Sequence, residues 1–134
     1  MFVAIHMSYG ININIVQIKD ELFIKLGDEM VGRIWHGWTT LENADVYEKL
    51  LKTEIFPRIA AKNVPGYRSI QLLRRPLDGE VEFITIMWFD SWDSVKQFAG
   101  EDYETAYVPP RAREVLSRFD DHSQHYEIKE QISY

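Results

Sequence analysis

The sequence contains no cysteine. Disulfides, thiolate nucleophiles, zinc ribbons and cysteine-ligated iron–sulfur clusters are therefore excluded, and the cytoplasm is the expected location. No apolar run reaches the roughly 18 residues that a helix needs to cross a bilayer, and the N-terminus lacks the basic stretch that opens a secretory signal. Bases are outnumbered by acids, 15 against 21, giving a formal net charge of −6. Such a chain repels phosphate backbones and anionic lipid, so neither nucleic acid nor a membrane is an expected partner. The G-x-G-x-x-G and G-x-x-x-x-G-K loops that cradle the phosphates of dinucleotides and ATP are also missing, and no bound cofactor is expected.

What is present describes one folded domain. A hydrophobic share of 46% and a charged share of 27% in 134 residues are ordinary globular values and suffice for a single core. Residues 1–29 stand apart. Ile11, Ile13 and Ile15 alternate with Asn12, Asn14 and Val16, a strand pattern that leads to no turn or cap. Two readings stay open: an extra strand covering a sheet edge, or an N-terminal extension upstream of a true start at Met30. Either way the domain spans residues 30–134.

Within it the order is strand, helix, strand, strand, helix, strand. VGRIWHGW at 31–38 is rich in β-branched and aromatic residues and predicts the first strand. Thr39 followed three residues later by Glu42 matches a capping box and predicts a helix start there. Tyr47, Leu51, Ile55 and Ile59 then recur every four residues, with Val46 and Leu50 beside them, and Glu48–Lys52 and Glu54–Arg58 are spaced as ion pairs on the wet side. Pro57 predicts a kink or break before Asn63. Val64-Pro65-Gly66 is a turn, Tyr67–Arg74 a second strand, and Asp78-Gly79 a hairpin tip. Val81–Phe89 is apolar on both faces, as expected when helices cover one side of a sheet and a second subunit covers the other. Asp90 or Ser91 caps a helix carrying Trp92, Val95, Phe98 and Ala99, which Gly100 ends. Another turn of helix is expected within 101–107, a short helix from Pro109-Pro110, and a final strand over about 123–129. This is an α+β, ferredoxin-like βαββαβ antiparallel sheet with helices on one face.

That order, with GRIWHG at 32–37, VPGYRSIQLLRR at 64–75, FITIMWFDSWDSVKQFAGED at 83–102 and HYEI at 125–128, resembles the antibiotic-biosynthesis-monooxygenase family over about residues 30–130. The resemblance implies a homodimer whose two sheets back onto each other as a dimeric α+β barrel. It also implies a cofactor-independent monooxygenase-like activity on a small aromatic or quinol substrate. A haem-cleaving branch uses a first-strand asparagine and a tryptophan and histidine ten residues apart. Those positions fall here near Arg33 and on Phe98 and Val108, so the resemblance does not extend to haem cleavage. A non-catalytic dimeric module that binds a small hydrophobic ligand or stabilises a pathway partner is the alternative, because a fold does not fix a reaction.

If oxygen chemistry occurs, the protein's task is to orient the substrate, take a proton and exclude water. Histidine suits the proton step. His36 and His125 stand on neighbouring predicted strands where they can approach one another, and are the candidate bases; the alternative makes each a hydrogen-bonded structural group. Trp88, Phe98, Tyr103 and Tyr107 are the candidate substrate-binding residues, with core or interface packing as the competing explanation. Arg33, Arg74, Arg75, Arg111 and Arg113 can bind an anion or pair with acids. No metal site is expected, because His122 and His125 in an extended segment point to opposite faces.

Overall fold

The computed structural model describes residues 29–134; the expectations for residues 1–28 lie outside the described residues. Five strands form one antiparallel sheet: β1 (Val31–Thr40), β2 (Tyr67–Pro76), β3 (Glu80–Phe89), β4 (Arg118–Phe119) and β5 (Gln124–Glu127). Central β1 pairs along its whole length with β3, from Val31 opposite Phe89 to Thr40 opposite Glu80, and β2 lies on the far side of β3. The other edge of β1 is shared. β4 meets it at Gly37 and Trp38, and β5 meets it from Val31 to Ile34. The single last strand expected from sequence is thus two pieces separated by residues 120–123. Into this gap fits the segment expected to be helical at 101–107, which is a turn instead: Ala106 N–H donates to the Asp121 carbonyl and Ser123 N–H to that of Glu104, each at 2.8 Å.

The helices are α1 (Ala44–Leu50), α2 (Phe56–Ala61), α3 (Trp92–Ala99) and α4 (Pro110–Val115). Strand alternation decides what they cover. Val31, Arg33, Gly37 and Thr39 are buried beneath them, whereas Ile34, His36 and Trp38 sit half-buried on the opposite face. The doubly apolar β3 follows the same rule, with Val81, Phe83, Met87 and Phe89 inward and Ile84, Ile86 and Trp88 outward. Two core clusters result. One gathers Tyr47, Leu51, Phe83, Val108 and Ala112, the other Val31, Met87, Phe89 and Val95.

Three local expectations need correction. Thr39 does not cap a helix: the β1–β3 ladder runs past it, it is fully buried, and its hydroxyl has no partner among the described residues. Thr40, one residue on, accepts the Asn43 N–H at 3.1 Å as the chain leaves the sheet. The Pro57 effect is neither kink nor break but a π-helical turn, Leu51–Ile55, joining α1 to α2, with Phe56 N–H donating to the Leu51 carbonyl five residues back. A proline lacks the N–H that α geometry would use, and a π turn absorbs the irregularity without ending the helix. Finally, Lys52 does pair with Glu48 at 2.6 Å, but Glu54 turns to Arg111 at 2.6 Å and leaves Arg58 without an acid among the described residues.

The Pro65-Gly66 turn meets the passage from β3 into α3. Gly66 has φ +87°, its carbonyl accepts the Asp90 N–H at 2.8 Å, and Arg68 holds the Asp90 carboxylate through Nε at 2.7 Å. Ser91 caps α3 by accepting the Ser94 N–H at 3.2 Å. No helix among the described residues is long and apolar enough to cross a membrane.

Candidate functional site

Between the sheet and the helices lies a cavity of about 520 Å³, reached between α2, the end of α3 and the start of α4. A narrower apolar recess of about 110 Å³ runs inward from it between the two core clusters, bounded by Tyr47, Leu51, Met87, Phe98 and Val108. Arg33, Ile55, Ile59, Phe98, Tyr107 and Pro109 border both. The shape is that of a small-molecule site: apolar walls with a few placed polar groups.

Arg33 is the polar group at its back. Its residue is only 7% exposed, and no carboxylate among the described residues pairs with it. Nη1 donates to the Tyr103 carbonyl at 2.6 Å and to His125 Nε2 at 3.0 Å, and the guanidinium carbon lies 5.7 Å from the centre of the Phe98 ring. Burial pulls its pKa down to about 10, so it stays a cation at neutral pH.

That arrangement decides the state of His125. A guanidinium only donates, so Nε2 must accept and the ring proton sits on Nδ1. Burial first, and the Arg33 charge second, bring the His125 pKa down to about 4 from an ordinary 6.5. Trp92 and Tyr103 pack against the ring at 5.9 and 5.1 Å between centroids. Its basic nitrogen is therefore occupied by Arg33, and its surroundings favour the neutral ring. As pH falls below 6.5 the unfolded chain takes up a proton that the folded chain refuses until about 4. The stabilising contribution of the neutral ring is thus full above 6.5 and is lost across that window. We expect ¹⁵N-edited NMR to show the Nδ1–H tautomer and a midpoint near pH 4. An ordinary midpoint would contradict this description.

The remaining candidates separate by face. Phe98 and Tyr107 border the cavity, and Tyr103 stands behind Arg33, lending its carbonyl. His36 and Trp88 are on the helix-free face, and the expected approach of His36 to His125 does not occur: His125 is opposite Arg33, and His36 is opposite Ile84. The three-residue offset between positions 33 and 36 places them on opposite sides of the strand. His36 Nδ1 is 2.9 Å from the buried Glu82 carboxylate, whose other oxygen accepts Arg75 Nε at 2.7 Å. Arg75 and then His36 hold that carboxyl below its usual range. Trp88 covers Gly32 and donates to Gln71 at 3.1 Å, so it cannot share a pocket wall with Phe98 and Tyr107. Of the other candidate arginines, Arg74 pairs with Asp45 and Glu48, Arg75 with Glu82 and Arg113 with the Val108 carbonyl, whereas Arg111 borders the cavity and pairs with Glu54. Arg33 itself is visible in sequence as a charge at an inward position of an alternating strand. Tyr47, which its spacing assigns to the core stripe, also faces the recess. No cluster of three or more histidine or acidic residues among the described residues is arranged to hold a metal.

No family model and no curated protein matches the sequence. Solved structures do match in three dimensions. A Bacillus cereus protein described as an antibiotic biosynthesis monooxygenase aligns over 79% of this chain and 99% of its own, at 12% identity and a TM-score of 0.52. A Shewanella oneidensis protein aligns over 75% and 92%, at 12% identity and 0.54. A conserved protein from Methanosarcina mazei aligns over 77% and 94%, at 12% and 0.50. The chain has the ferredoxin-like α+β fold of antibiotic-biosynthesis-monooxygenase structures.

Proposed function

We propose that the cavity binds a small aromatic or quinol substrate as its phenolate, and that the protein is a cofactor-independent monooxygenase-like enzyme for that molecule. One observation carries the reading: Arg33, a buried guanidinium without a carboxylate partner among the described residues, at the back of an apolar cavity. A buried charge is costly unless something answers it, and the natural answer here is an anionic oxygen on a flat ring packed beside Phe98. Arg33 lowers the pKa of the bound phenol and raises the electron density of its ring, with the proton leaving to solvent through the mouth. The substrate supplies all the electrons: one ring C–H of the hydroquinone becomes C–OH while the ring is oxidised to the quinone, dioxygen giving one atom to that carbon and leaving with the other as water.

The same reading makes the protein a homodimer. Ile34, Ile84, Ile86 and the 44%-exposed Leu73 form an apolar area on the helix-free face, and two copies cover it most simply about a two-fold axis.

The test is ligand binding and oxygen uptake across a panel of quinols and polyphenols. Arg33→Met should weaken binding of the best ligand by about 100-fold, the scale of a buried charge-assisted hydrogen bond pair. His36→Ala, on the other face, should leave it within about twofold. Equal affinity for wild type and Arg33→Met would end this reading. A non-catalytic binding module is favoured by a different observation. Among the described residues bordering the cavity there is no histidine, and the one carboxylate, Glu54, is bound to Arg111. Tight binding without oxygen consumption would select that alternative.

A further inference from the structure

The mouth of the cavity is more basic than the chain that forms it. Among the described residues, Arg33, Arg58, Lys62 and Arg111 stand around the 520 Å³ space, opposed by Glu54 alone. The whole chain has the reverse balance, a net charge of −6. Glu54 is taken by Arg111. Arg58 and Lys62 make no ion pair among the described residues, although Glu54 is spaced to pair with Arg58 on a regular helix. They lie four residues apart across α2 and its end, and so on one side of the helix. Lys62 Nζ sits 4.7 Å from the centre of the Phe98 ring, the ring that also neighbours Arg33. Two cations thus flank one aromatic ring, one at the back of the cavity and one at its rim.

We infer that the ligand is an aromatic acid: a hydroxylated ring whose oxygen meets Arg33 and whose separate ionised carboxylate is held at the rim by Lys62 and Arg58. The inference rests on the cavity being the ligand site and adds the substrate class. Like charges gathered around one opening repel each other, and a carboxylate between them relieves that repulsion while keeping one edge in water. The apolar recess between Leu51, Met87 and Phe98 accepts the ring, so the two ends of such a molecule meet matching surroundings.

The test compares 1,4-dihydroxy-2-naphthoic acid with its methyl ester, by tryptophan fluorescence under anaerobic conditions so that neither is oxidised. Wild type should bind the acid about 10-fold more tightly than the ester, an advantage that shrinks as salt is added. In the Arg58→Gln/Lys62→Gln double variant, the two should bind equally, at about the affinity wild type has for the ester. Both side chains are exposed, so the thermal midpoint should not move and folding is not at issue. Equal binding of acid and ester by wild type, or an acid preference that survives in the double variant, overturns the aromatic-acid assignment alone. Failure of both compounds to bind overturns it together with the reading of the cavity.

Discussion

Gly66→Ala should destabilise the protein by about 3 kcal/mol or more and lower its thermal midpoint by more than about 10 °C. Two costs add. Gly66 has φ +87°, a conformation that side-chain-bearing residues adopt only with strain, and a Cβ there would sit 1.9 Å from Ser94 Oγ. The serine cannot simply step aside, since it is buried in the first turn of α3, with its N–H on Ser91 and its hydroxyl 3.3 Å from that of Ser91. Gly79 is the internal control. It has nearly the same φ, +79°, but an added Cβ would meet no atom within 4 Å, so Gly79→Ala should cost only about 1 kcal/mol. Calorimetry that found the two variants equally stable would remove the steric part of this account.

Ile86→Asp should convert a dimer to a monomer at micromolar concentration, weakening self-association by at least about 1,000-fold. Ile86 lies mid-strand on the helix-free face, opposite Ile34 on β1 and Gln71 on β2. In the proposed dimer a carboxylate there would be desolvated between the two sheets, which costs several kcal/mol. Within one subunit the side chain is only half-buried, so circular dichroism should still report the native fold. Sedimentation velocity is the measurement. A wild-type protein that sediments as a monomer would show that the face has no second copy upon it.

Much of this architecture can be read from residue patterns, because local chemistry sets it. Ser91 and Gly100 bracket α3, Asp78-Gly79 makes the hairpin, and the doubly apolar β3 divides its side chains between two faces. The failures are non-local. Thr39 has the spacing of a cap, but a ladder with β3 holds it in the sheet. Nothing local marks where the last strand divides, since that depends on residues 104–106 arriving from elsewhere. At the site, aromatic chemistry alone offers Trp88, Phe98, Tyr103 and Tyr107 alike, and only the fold places Phe98 and Tyr107 on the cavity and Trp88 on the opposite face. Strand adjacency alone pairs His36 with His125, whereas the register sets His125 beside Arg33. Period-two counting from Val31 puts Arg33 inward and His36 outward, and an arginine at a core position is itself a signal of function.

The π turn at Leu51–Ile55 is in effect an α-helix carrying one residue too many. A turn of this width takes up the extra residue locally, so the helix continues beyond it while spacings that cross it no longer follow the 3.6-residue period. Glu54 and Ile55 within the π turn, and Arg58, Ile59 and Lys62 beyond it, all border the cavity. The wide turn thus sorts charge: Glu54 lies within it and Arg58 beyond it, so the four-residue spacing that would pair them on a regular helix is opened, and Glu54 is left to Arg111 while Arg58 borders the cavity.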